Sequence, residues 1–333
     1  MAKQIVVTGA AGFIGRNAVA DLNAHGHDDL ILVDELGTTD KWKNLRGLTY
    51  DDLISPADFL TLVQSGKLAD VEAIVHLGAC SATTERDADF LLRNNYQYTR
   101  TLCEWSFRHK ARFIYASSAA TYGEGAQGYS DADSATPTLR PLNMYGYSKH
   151  MFDLWALKHK LFDRIVGLKY FNVFGPRESH KQGMRSVINK AYAEVVTTGR
   201  MRLFRSHLAE YADGEQRRDF IYVDDAVAQT LFYFDHPDVA GLFNCGTGRA
   251  RSWNELARAL FAAVGRPPQI EYVDMPPDIR DKYQYFTQAG MDRVRLSGYD
   301  RSCVRLEEAV ADYVKRELRF TVEQPTSAVT ARS

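Results

Sequence analysis

The start of the chain joins a short apolar segment to a turn that is rich in glycine. Residues 4–8 contain three consecutive β-branched aliphatic side chains, which is typical of a buried parallel strand. Gly9 and Gly12 leave backbone N–H groups open to a phosphate at the positive end of a following helix, and Gly15 lets that helix pack close to the strand. This spacing differs from Gly-x-Gly-x-x-Gly, so the prediction depends on the strand, turn and helix following in the required order. It predicts a dinucleotide-binding site.

Strand and helix patterns alternate through the first half of the chain. Strands at 112–116 and 165–170 follow helical patterns, and such alternation predicts an α/β fold with a doubly wound, Rossmann-type parallel sheet. From about residue 175 the polar loops become longer and proline pairs occur, which favours a smaller C-terminal substrate lobe. We therefore predict a dinucleotide-binding domain over 1–174 to which some later segments return, a lobe that is mainly substrate-binding over 175–319, and a disordered tail over 320–333.

The second strand predicts how the adenosine ribose is held. Residues 30–33 form an apolar run that ends at Asp34, where this fold places a carboxylate on the ribose. An acid there favours NAD, whereas either Lys41 or Lys43 in the following loop has the charge to bind the 2′-phosphate of NADP. Glu35 would repel that phosphate. These residues alone leave the choice of cofactor open.

A further strand, at 73–76, leads into the small residues 77–81. Ligands of parallel sheets bind at the carboxyl ends of the strands, so this segment should line the cleft. His76 ends an apolar run, and we interpret it as a packed, hydrogen-bonded histidine rather than a base. Asn94 either holds a cofactor hydroxyl or caps a helix.

Tyr145 and Lys149 stand four residues apart in a helical pattern, so their side chains lie on one face. A neighbouring ammonium favours the phenolate of a tyrosine and makes it a better base. Ser118 ends a strand nearby and has a hydroxyl that fits the same substrate oxygen. Together the three residues predict proton transfer to and from an alcohol that undergoes oxidation.

Bulk properties exclude several classes of protein. The 333 residues carry a formal net charge of −1 without a basic block, which argues against nucleic acid as a partner. Four scattered cysteines show neither metal-ligand spacing nor a disulfide framework, which is typical of a reducing compartment. No apolar run reaches the ~20 residues that span a bilayer. We expect a cytoplasmic enzyme without a metal or a membrane partner.

With these motifs in order, the chain resembles the extended short-chain dehydrogenases/reductases of the nucleotide-sugar epimerase and dehydratase group. The similarity continues through 170–177, 218–225 and 243–248 and covers nearly the whole chain. Within that group, the chain is most similar to the ADP-heptose 6-epimerase family. The stretches that carry this narrower resemblance are 77–85, 116–123, 175–181 and 283–289.

The resemblance implies an activity. Enzymes of this kind convert ADP-D-glycero-D-manno-heptose to ADP-L-glycero-D-manno-heptose at C6, through a 6-ketone and with tightly bound NADP, and supply the lipopolysaccharide inner core. Inversion needs proton transfer on two sides of one carbon, which a single fixed tyrosine serves poorly. Lys181 matches the family's second acid/base position. The resemblance further implies a homo-oligomer, specifically a pentamer.

The resemblance also implies sets of binding residues. Those for the cofactor are Gly9, Gly12, Phe13, Ile14, Gly15, Asp34, Glu35, Lys41, Leu77, Gly78, Ala79, Cys80, Ser81, Asn94, Tyr145, Lys149, Val173 and Lys181. Those for the substrate are Ser118, Asn172, Gly183, Lys190, Phe204, Arg205, Ser206, His207, Arg218 and Tyr283. Arg218 would bind the diphosphate, with a surface salt bridge to Asp219 as its alternative role.

Three alternatives stay open at this point. A nucleotide-sugar 4-epimerase shares the serine strand and differs in the loop that carries Lys181. A dehydratase needs an acid pair after the catalytic serine, where this chain has the sequence Ala-Ala-Thr at 119–121. A cofactor-sensing protein that lost catalysis would have no need of the Tyr145 and Lys149 pair.

Overall fold

The computed structural model describes residues 4–68, 70–280 and 283–322. The strands are β1 (Gln4–Thr8), β2 (Leu30–Val33), β3 (Asp52–Ile54), β4 (Val71–His76), β5 (Arg112–Ser118), β6 (Val166–Tyr170), β7 (Asn172–Phe174), β8 (Met201–Phe204), β9 (Arg217–Tyr222), β10 (Gly241–Cys245), β11 (Ala250–Ser252) and β12 (Ile270–Val273). The α-helices are α1 (Phe13–Ala24), α2 (Pro56–Ser65), α3 (Ala88–Leu91), α4 (Tyr98–His109), α5 (Met144–Lys158), α6 (Val187–Thr198), α7 (Val223–Asp235), α8 (Trp253–Ala263), α9 (Pro277–Arg280), α10 (Asp292–Leu296), α11 (Leu306–Tyr313) and α12 (Arg319–Val322).

A seven-stranded parallel sheet forms the centre of the larger part, with the order β10-β6-β5-β4-β1-β2-β3. The chain moves outward in one direction from β1 to β3 and then returns to β4 on the other side of β1. This reversal is the switch point of a doubly wound sheet, and it places a crevice at the carboxyl ends of β1 and β4. The predicted fold class is confirmed.

The central strands consist mostly of buried apolar residues because helices cover both faces of the sheet. One buried cluster lies under α2, α4 and α5, and another lies under α1 and α7. Helix α4 continues from α3 through a π-helical turn at Leu92–Gln97, so residues 88–109 form one continuous helix.

The later part of the chain forms a smaller lobe with a core of its own. A three-stranded sheet has the order β11-β9-β7 and a two-stranded sheet pairs β12 with β8. Helices α6, α8 and α11 pack together in the core of this lobe. Strand β10 belongs to the large sheet, although it follows β8 and β9 in the sequence.

The C-terminal helix extends into the tail that the sequence predicted to be disordered. Helix α12 ends at residue 322, so the first three residues of that prediction are helical. The rest of the predicted tail, 323–333, lies outside the described residues. Among the residues described, no helix has both the length and the apolarity that crossing a membrane requires.

Candidate active site

A cavity of about 670 Å³ opens at the carboxyl ends of the central strands, between the large sheet and the smaller lobe. This volume is in the range typical of small-molecule sites. The cleft brings together most of the predicted cofactor-binding residues, which are Gly9, Gly12, Phe13, Ile14, Gly15, Asp34, Lys41, Leu77, Gly78, Ala79, Cys80, Ser81, Tyr145, Lys149, Val173 and Lys181. Ser118 and Asn172 line the same cleft.

The glycine-rich turn has the geometry that a bound pyrophosphate requires. Gly9 has φ +69°, and a Cβ there would lie 2.6 Å from the backbone nitrogen of Gly78. A Cβ on Gly15 would lie 2.0 Å from the carbonyl oxygen of Gly9. Gly12 caps α1 without a side-chain hydrogen bond, so no side chain competes for the first N–H groups of the helix. These backbone donors at the positive helix end fit a dinucleotide phosphate.

Asp34 forms a hydrogen-bonded centre at the end of β2. Its Oδ2 accepts from the backbone N–H of Ala11 at 2.8 Å, and its Oδ1 accepts from that of Glu35 at 2.7 Å. Lys41 donates from Nζ to the same Oδ1 at 2.5 Å and to the carbonyl oxygen of Glu35 at 3.0 Å. The carboxylate and the ammonium therefore sit side by side in the cleft. The Glu35 side chain is exposed and does not line it.

Tyr145 lies in the first turn of α5, which begins where Asn143 Oδ1 accepts a hydrogen bond from the backbone N–H of Gly146 at 2.8 Å. The Oγ of Ser118 accepts from the N–H of Ala120 at 3.1 Å, and the Ser118 side chain also hydrogen-bonds to Tyr145. Burial raises the pKa of Tyr145, while the hydrogen bond to Ser118 lowers it by a smaller amount. The structure thus joins the serine and the tyrosine.

The predicted effect of Lys149 on the tyrosine is corrected by the structure. Its ammonium donates to the carbonyl oxygen of Ala116 at 2.8 Å, and the pKa of Tyr145 is raised rather than lowered because burial outweighs the favourable contributions. Burial also lowers the pKa of Lys149 to about 8. The hydrogen bond to Ala116 uses one of the three donors of the ammonium. In the ligand-free protein, Lys149 is therefore held beside the tyrosine without making it acidic.

His76 is a structural residue below the cleft, as the sequence indicated. Its Nδ1 lies 2.6 Å from Thr8 Oγ1 and its Nε2 lies 2.8 Å from Thr99 Oγ1. Thr99 donates its hydroxyl hydrogen to the carbonyl oxygen of Asn95, so it accepts from His76, which places the ring hydrogen on Nε2. Burial lowers the pKa of His76 to about 3. This neutral ring connects strands to a helix and has no contact that a base would need.

Asn95 joins the segment after β4 to helix α5 and was not singled out by the sequence pattern. Its side chain is buried, accepts from the backbone N–H of Cys80 and donates to the carbonyl oxygen of that residue, both at 2.9 Å. It also donates to Ser148 Oγ on α5 at 3.0 Å. Asn94 donates to Asn95 at 3.0 Å and is not among the residues that line the cleft.

Lys181 lies on the wall of the cleft formed by a short 3₁₀ segment, Ser179–Met184. Its ammonium is 5.2 Å from the centroid of the Phe13 ring, and burial lowers the pKa of Lys181. Glu178 opposes that shift and accepts hydrogen bonds from the backbone N–H and the hydroxyl of Ser186, both at 2.5 Å. A loop lysine is thus largely removed from water and faces the same cleft as Tyr145.

Arg218 is 6% exposed and lies in β9 among aromatic rings. The guanidinium carbon is 5.2 Å from the Tyr283 ring centroid and 5.9 Å from that of Trp253, and Trp253 Nε1 donates to the Tyr283 hydroxyl at 2.8 Å. Its hydrogen bonds go to the backbone carbonyls of Arg217 and Gln284. Buried cations normally have an anionic partner, and a guanidinium matches the shape of a phosphate.

The alternative salt bridge between Arg218 and Asp219 is excluded by the partners of the carboxylate. Asp219 is fully buried and accepts hydrogen bonds from the N–H and hydroxyl of Thr247 and from the N–H groups of Gly248 and Ala289, at 2.7–3.0 Å. These donors satisfy the carboxylate of Asp219 without a contact to Arg218. Among the residues that the structure describes, no carboxylate forms an ion pair with Arg218.

The other predicted substrate residues form two groups in the smaller lobe. Phe204 ends β8 and packs edge to face on Tyr283, with ring centroids 6.5 Å apart. The loop that follows β8 begins with residues 205–207. In this loop, the backbone N–H of His207 donates to the hydroxyl oxygen of Tyr285 at 2.9 Å. Arg205 donates to the carbonyl oxygen of Tyr272, and Ser206 N–H donates to Asp213. Gly183 and Lys190 are joined by a 3.3 Å hydrogen bond away from the lining of the cleft.

Three further residues contribute to the site and were missed by sequence reasoning. Trp253 lines the cleft beside Arg218, but no motif surrounds it. Asp153 and Lys169 form a buried ion pair behind the catalytic strand. The sequence contains a hint of both residues. Asp153 follows Lys149 at helical spacing, and Lys169 is a charged residue within an otherwise apolar strand.

The family profile described as NAD dependent epimerase/dehydratase family matches residues 5–246, which is more than half of the chain. The chain belongs to this family. Its glycine-rich turn and its Ser118, Tyr145 and Lys149 all lie within the matched region, so the family covers both the cofactor end and the catalytic end of the cleft.

Within the NAD dependent epimerase/dehydratase family, the chain is similar to heptose epimerases. The ADP-L-glycero-D-manno-heptose-6-epimerase of Nitratidesulfovibrio vulgaris is 54% identical over 314 residues, which are 94% of this chain and 97% of the relative. That of Alkalilimnicola ehrlichii is 45% identical, over 93% of this chain and 96% of the relative. The narrower resemblance predicted from the sequence is confirmed.

Solved structures agree with the fold. The Helicobacter pylori ADP-L-glycero-D-manno-heptose-6-epimerase has a TM-score of 0.80 and 28% identity, covering 94% of this chain and 96% of that one. A UDP-N-acetylglucosamine 4-epimerase from Methanobrevibacter ruminantium has a TM-score of 0.79 at 23% identity, over 97% and 99% of the two chains. Backbone shape alone therefore does not separate 6-epimerases from 4-epimerases.

Proposed function

We propose that this protein converts ADP-D-glycero-D-manno-heptose to ADP-L-glycero-D-manno-heptose by inversion at C6 through a 6-ketone, for the inner core of lipopolysaccharide. The observation that carries the proposal is that one cleft is lined by two candidate acid/base groups from different elements. Tyr145 comes from α5 and Lys181 from the 3₁₀ segment Ser179–Met184. The named activity of the 54% identical relative supports the choice of substrate.

Proton transfer on one side belongs to Tyr145. The nicotinamide dinucleotide, when bound, supplies reversible oxidation of the alcohol at C6. Ser118 hydrogen-bonds to the tyrosine, and its hydroxyl fits the same substrate oxygen, so the two hydroxyls hold the reacting group between them. Lys149, held at the carbonyl of Ala116, has donors left to bind the cofactor ribose.

Proton transfer on the opposite side belongs to Lys181. Burial lowers the pKa of its ammonium, which brings the group closer to the range in which it gives and takes a proton near neutral pH. A group with a lowered pKa in a cleft is a candidate for such a role. Inversion then needs the ketone to present its opposite face, so that its oxygen takes a proton from Lys181 while C6 regains the hydride that the dinucleotide, when bound, would return.

We further propose that Arg218 binds the diphosphate of the substrate and that the rings around it hold the nucleotide. A buried guanidinium with free donors is suited to two neighbouring phosphates. Phe204 and Tyr283 provide apolar surface next to it. Asn172 lines the cleft, which supports a contact with the sugar.

NADP is the cofactor that we propose, within a family described as NAD dependent. Asp34 by itself favours a ribose hydroxyl, but Lys41 compensates its charge and stands at the same end of the cleft. The exposed side chain of Glu35 points its charge to solvent, where screening weakens its repulsion of a phosphate. These contacts support NADP and leave NAD as the competing outcome of a binding test.

We also propose a cytoplasmic location and a homo-oligomer, a pentamer by family resemblance. All four cysteines are unpaired, which supports a reducing compartment. The partner in the cleft is a small nucleotide sugar.

The test is turnover of ADP-D-glycero-D-manno-heptose by wild-type protein, Tyr145→Phe and Lys181→Met. General acid/base groups contribute about 10²–10⁴-fold, so each replacement should reduce the rate by that factor while released cofactor shows full occupancy. Tyr147→Phe and Lys158→Met are matched controls, because both side chains are exposed on the same helix and lie outside the cleft.

Two results would contradict the proposal. Near wild-type turnover in Tyr145→Phe and Lys181→Met would show that these residues are not the acid/base pair. Turnover of UDP-linked hexoses by the wild-type protein, without turnover of the ADP-heptose, would identify a 4-epimerase instead.

A further inference from the structure

A buried carboxylate stands behind the catalytic residues. Asp153 lies one helical turn after Lys149 on α5, and its side chain is 0% exposed. Its Oδ1 accepts from the Tyr115 hydroxyl at 2.7 Å, and its Oδ2 accepts from Ser117 Oγ at 2.8 Å and from Lys169 Nζ at 2.7 Å. The carboxylate thus joins α5 to β5 at Ser117, the residue before Ser118. It also joins α5 to β6 through Lys169.

Lys169, also 0% exposed, extends the same network to the other side of the catalytic serine. Its ammonium donates to Thr121 Oγ1 at 2.7 Å, and Thr121 donates to the carbonyl oxygen of Ser118 at 2.8 Å. The ammonium also lies 5.1 Å from the ring centroid of Tyr122. Ser118 is therefore held from both sides by groups that converge on one ion pair.

The charges around Lys149 come from several elements. Asp153 on its own helix is the carboxylate that raises the pKa of Lys149 against burial, and Cys80, after β4, also raises it. His76 on β4 is near Lys149 but is neutral, since burial lowers its pKa to about 3. Lys169 on β6 shares Asp153 with Lys149. One carboxylate therefore faces two buried ammonium groups.

We propose that the Asp153–Lys169 pair positions the catalytic site, holding the Ser118 strand against the Tyr145 helix, and that Asp153 is the countercharge of the Lys149 ammonium. The inference rests on the proposed roles of Ser118, Tyr145 and Lys149. Buried ion pairs are weak evidence for stability, because apolar side chains of similar volume often replace them without loss. The geometry gives this pair a different use: it sets the position and the charge state of groups in the cleft.

The experiment is a titration of Lys149 in the full-length protein labelled with [ε-¹³C]lysine, with its signal assigned by Lys149→Arg. An opposite charge within a few ångströms shifts a pKa by about one to three units, so Asp153→Asn should lower the midpoint of Lys149 by about one unit or more. The pH at which turnover declines on the alkaline side should fall by the same amount. Asp225→Asn is the matched control, since this carboxylate is equally buried but belongs to α7 and contacts Val304.

A second variant covers the case in which the single replacement does not fold. Asp153→Asn combined with Lys169→Met removes both charges, so neither is left buried without a partner. Loss of the Lys169 ammonium offsets part of the effect, so the midpoint of Lys149 should fall by less than in the single variant. An unchanged midpoint in a folded variant of either kind, or an equal shift in Asp225→Asn, would overturn the inference. The titration needs no substrate, so a failure of the proposed reaction leaves this result readable.

Discussion

Replacement of Arg218 by glutamine tests the assignment of the nucleotide end of the cleft. The guanidinium is buried between Tyr283 and Trp253, and its hydrogen bonds go to backbone carbonyls. A hydrogen bond to a charged group contributes about 1.5–3 kcal/mol. Loss of the diphosphate contact should therefore raise the Kd of ADP by about ten- to a hundredfold.

The assay is calorimetric titration with ADP and with adenosine. Adenosine carries no phosphate, so its affinity should change little in Arg218→Gln. Arg217→Gln is the matched control, because Arg217 is the preceding residue of the same strand and its side chain is exposed. Its effect on ADP should be small, since exposed charges are screened by salt.

Stability gives a second readout for the same variant. A guanidinium that served only the fold would be needed equally with and without ligand, so Arg218→Gln would then destabilise both states alike. We expect instead that ADP raises the Tm of the wild-type protein and raises that of Arg218→Gln much less. An unchanged ADP affinity, or equal losses for ADP and adenosine, would refute the assignment.

Three further predictions follow from the cofactor end and from the chemistry. Lys41→Ala should weaken NADP binding by about ten- to a hundredfold and leave NAD binding almost unchanged, with the exposed Lys43→Ala as control; equal losses for both cofactors would place Lys41 elsewhere. In D₂O the product should carry no deuterium at C6, because the same hydrogen leaves and returns; incorporation seen by NMR would indicate deprotonation of that carbon instead. The pKa of His76 is about 3 in the folded protein and 6.5 in the unfolded chain, so between these pH values only the unfolded chain binds a proton. The free energy of unfolding is therefore unaffected by this residue above pH 6.5 and decreases as the pH falls from 6.5 towards 3. The free energy of unfolding of the wild-type protein, measured with denaturant, should therefore fall by up to about 1.4 kcal/mol per pH unit in this window relative to that of His76→Gln. If the free energies of the two proteins changed in parallel with pH, the burial of a neutral ring would be contradicted.

Much of the fold and part of the site could be predicted from local patterns. Gly9 to Gly15 predicted a strand, a turn and a helix because each glycine meets a local steric demand, and the structure shows backbone atoms within 3 Å of where a Cβ would be at Gly9 and Gly15. The spacing of Tyr145 and Lys149 likewise predicted that they share one face of a helix, and both lie in α5. The apolar run that ends at Ser118 predicted the end of β5. Such features depend on backbone conformation over a few residues.

Charge states and partners could not be predicted in this way. The pKa of Tyr145 is raised because the fold buries it, although its sequence neighbour is a lysine. Arg218 lacks the adjacent Asp219 as a partner because Thr247, Gly248 and Ala289 bring four donors to that carboxylate from distant parts of the chain. Neither fact is visible in a window of a few residues.

The sequence by itself determined the order of strands and helices, the glycine-rich turn and the candidate acid/base side chains, since periodicity and glycine positions act locally. Only the tertiary structure decided that Asp153 and Lys169 meet behind Ser118 and that Lys41 pairs with Asp34. The physical reason is that desolvation and charge pairing depend on every group that the fold brings within a few ångströms, and most of those groups are far apart along the chain.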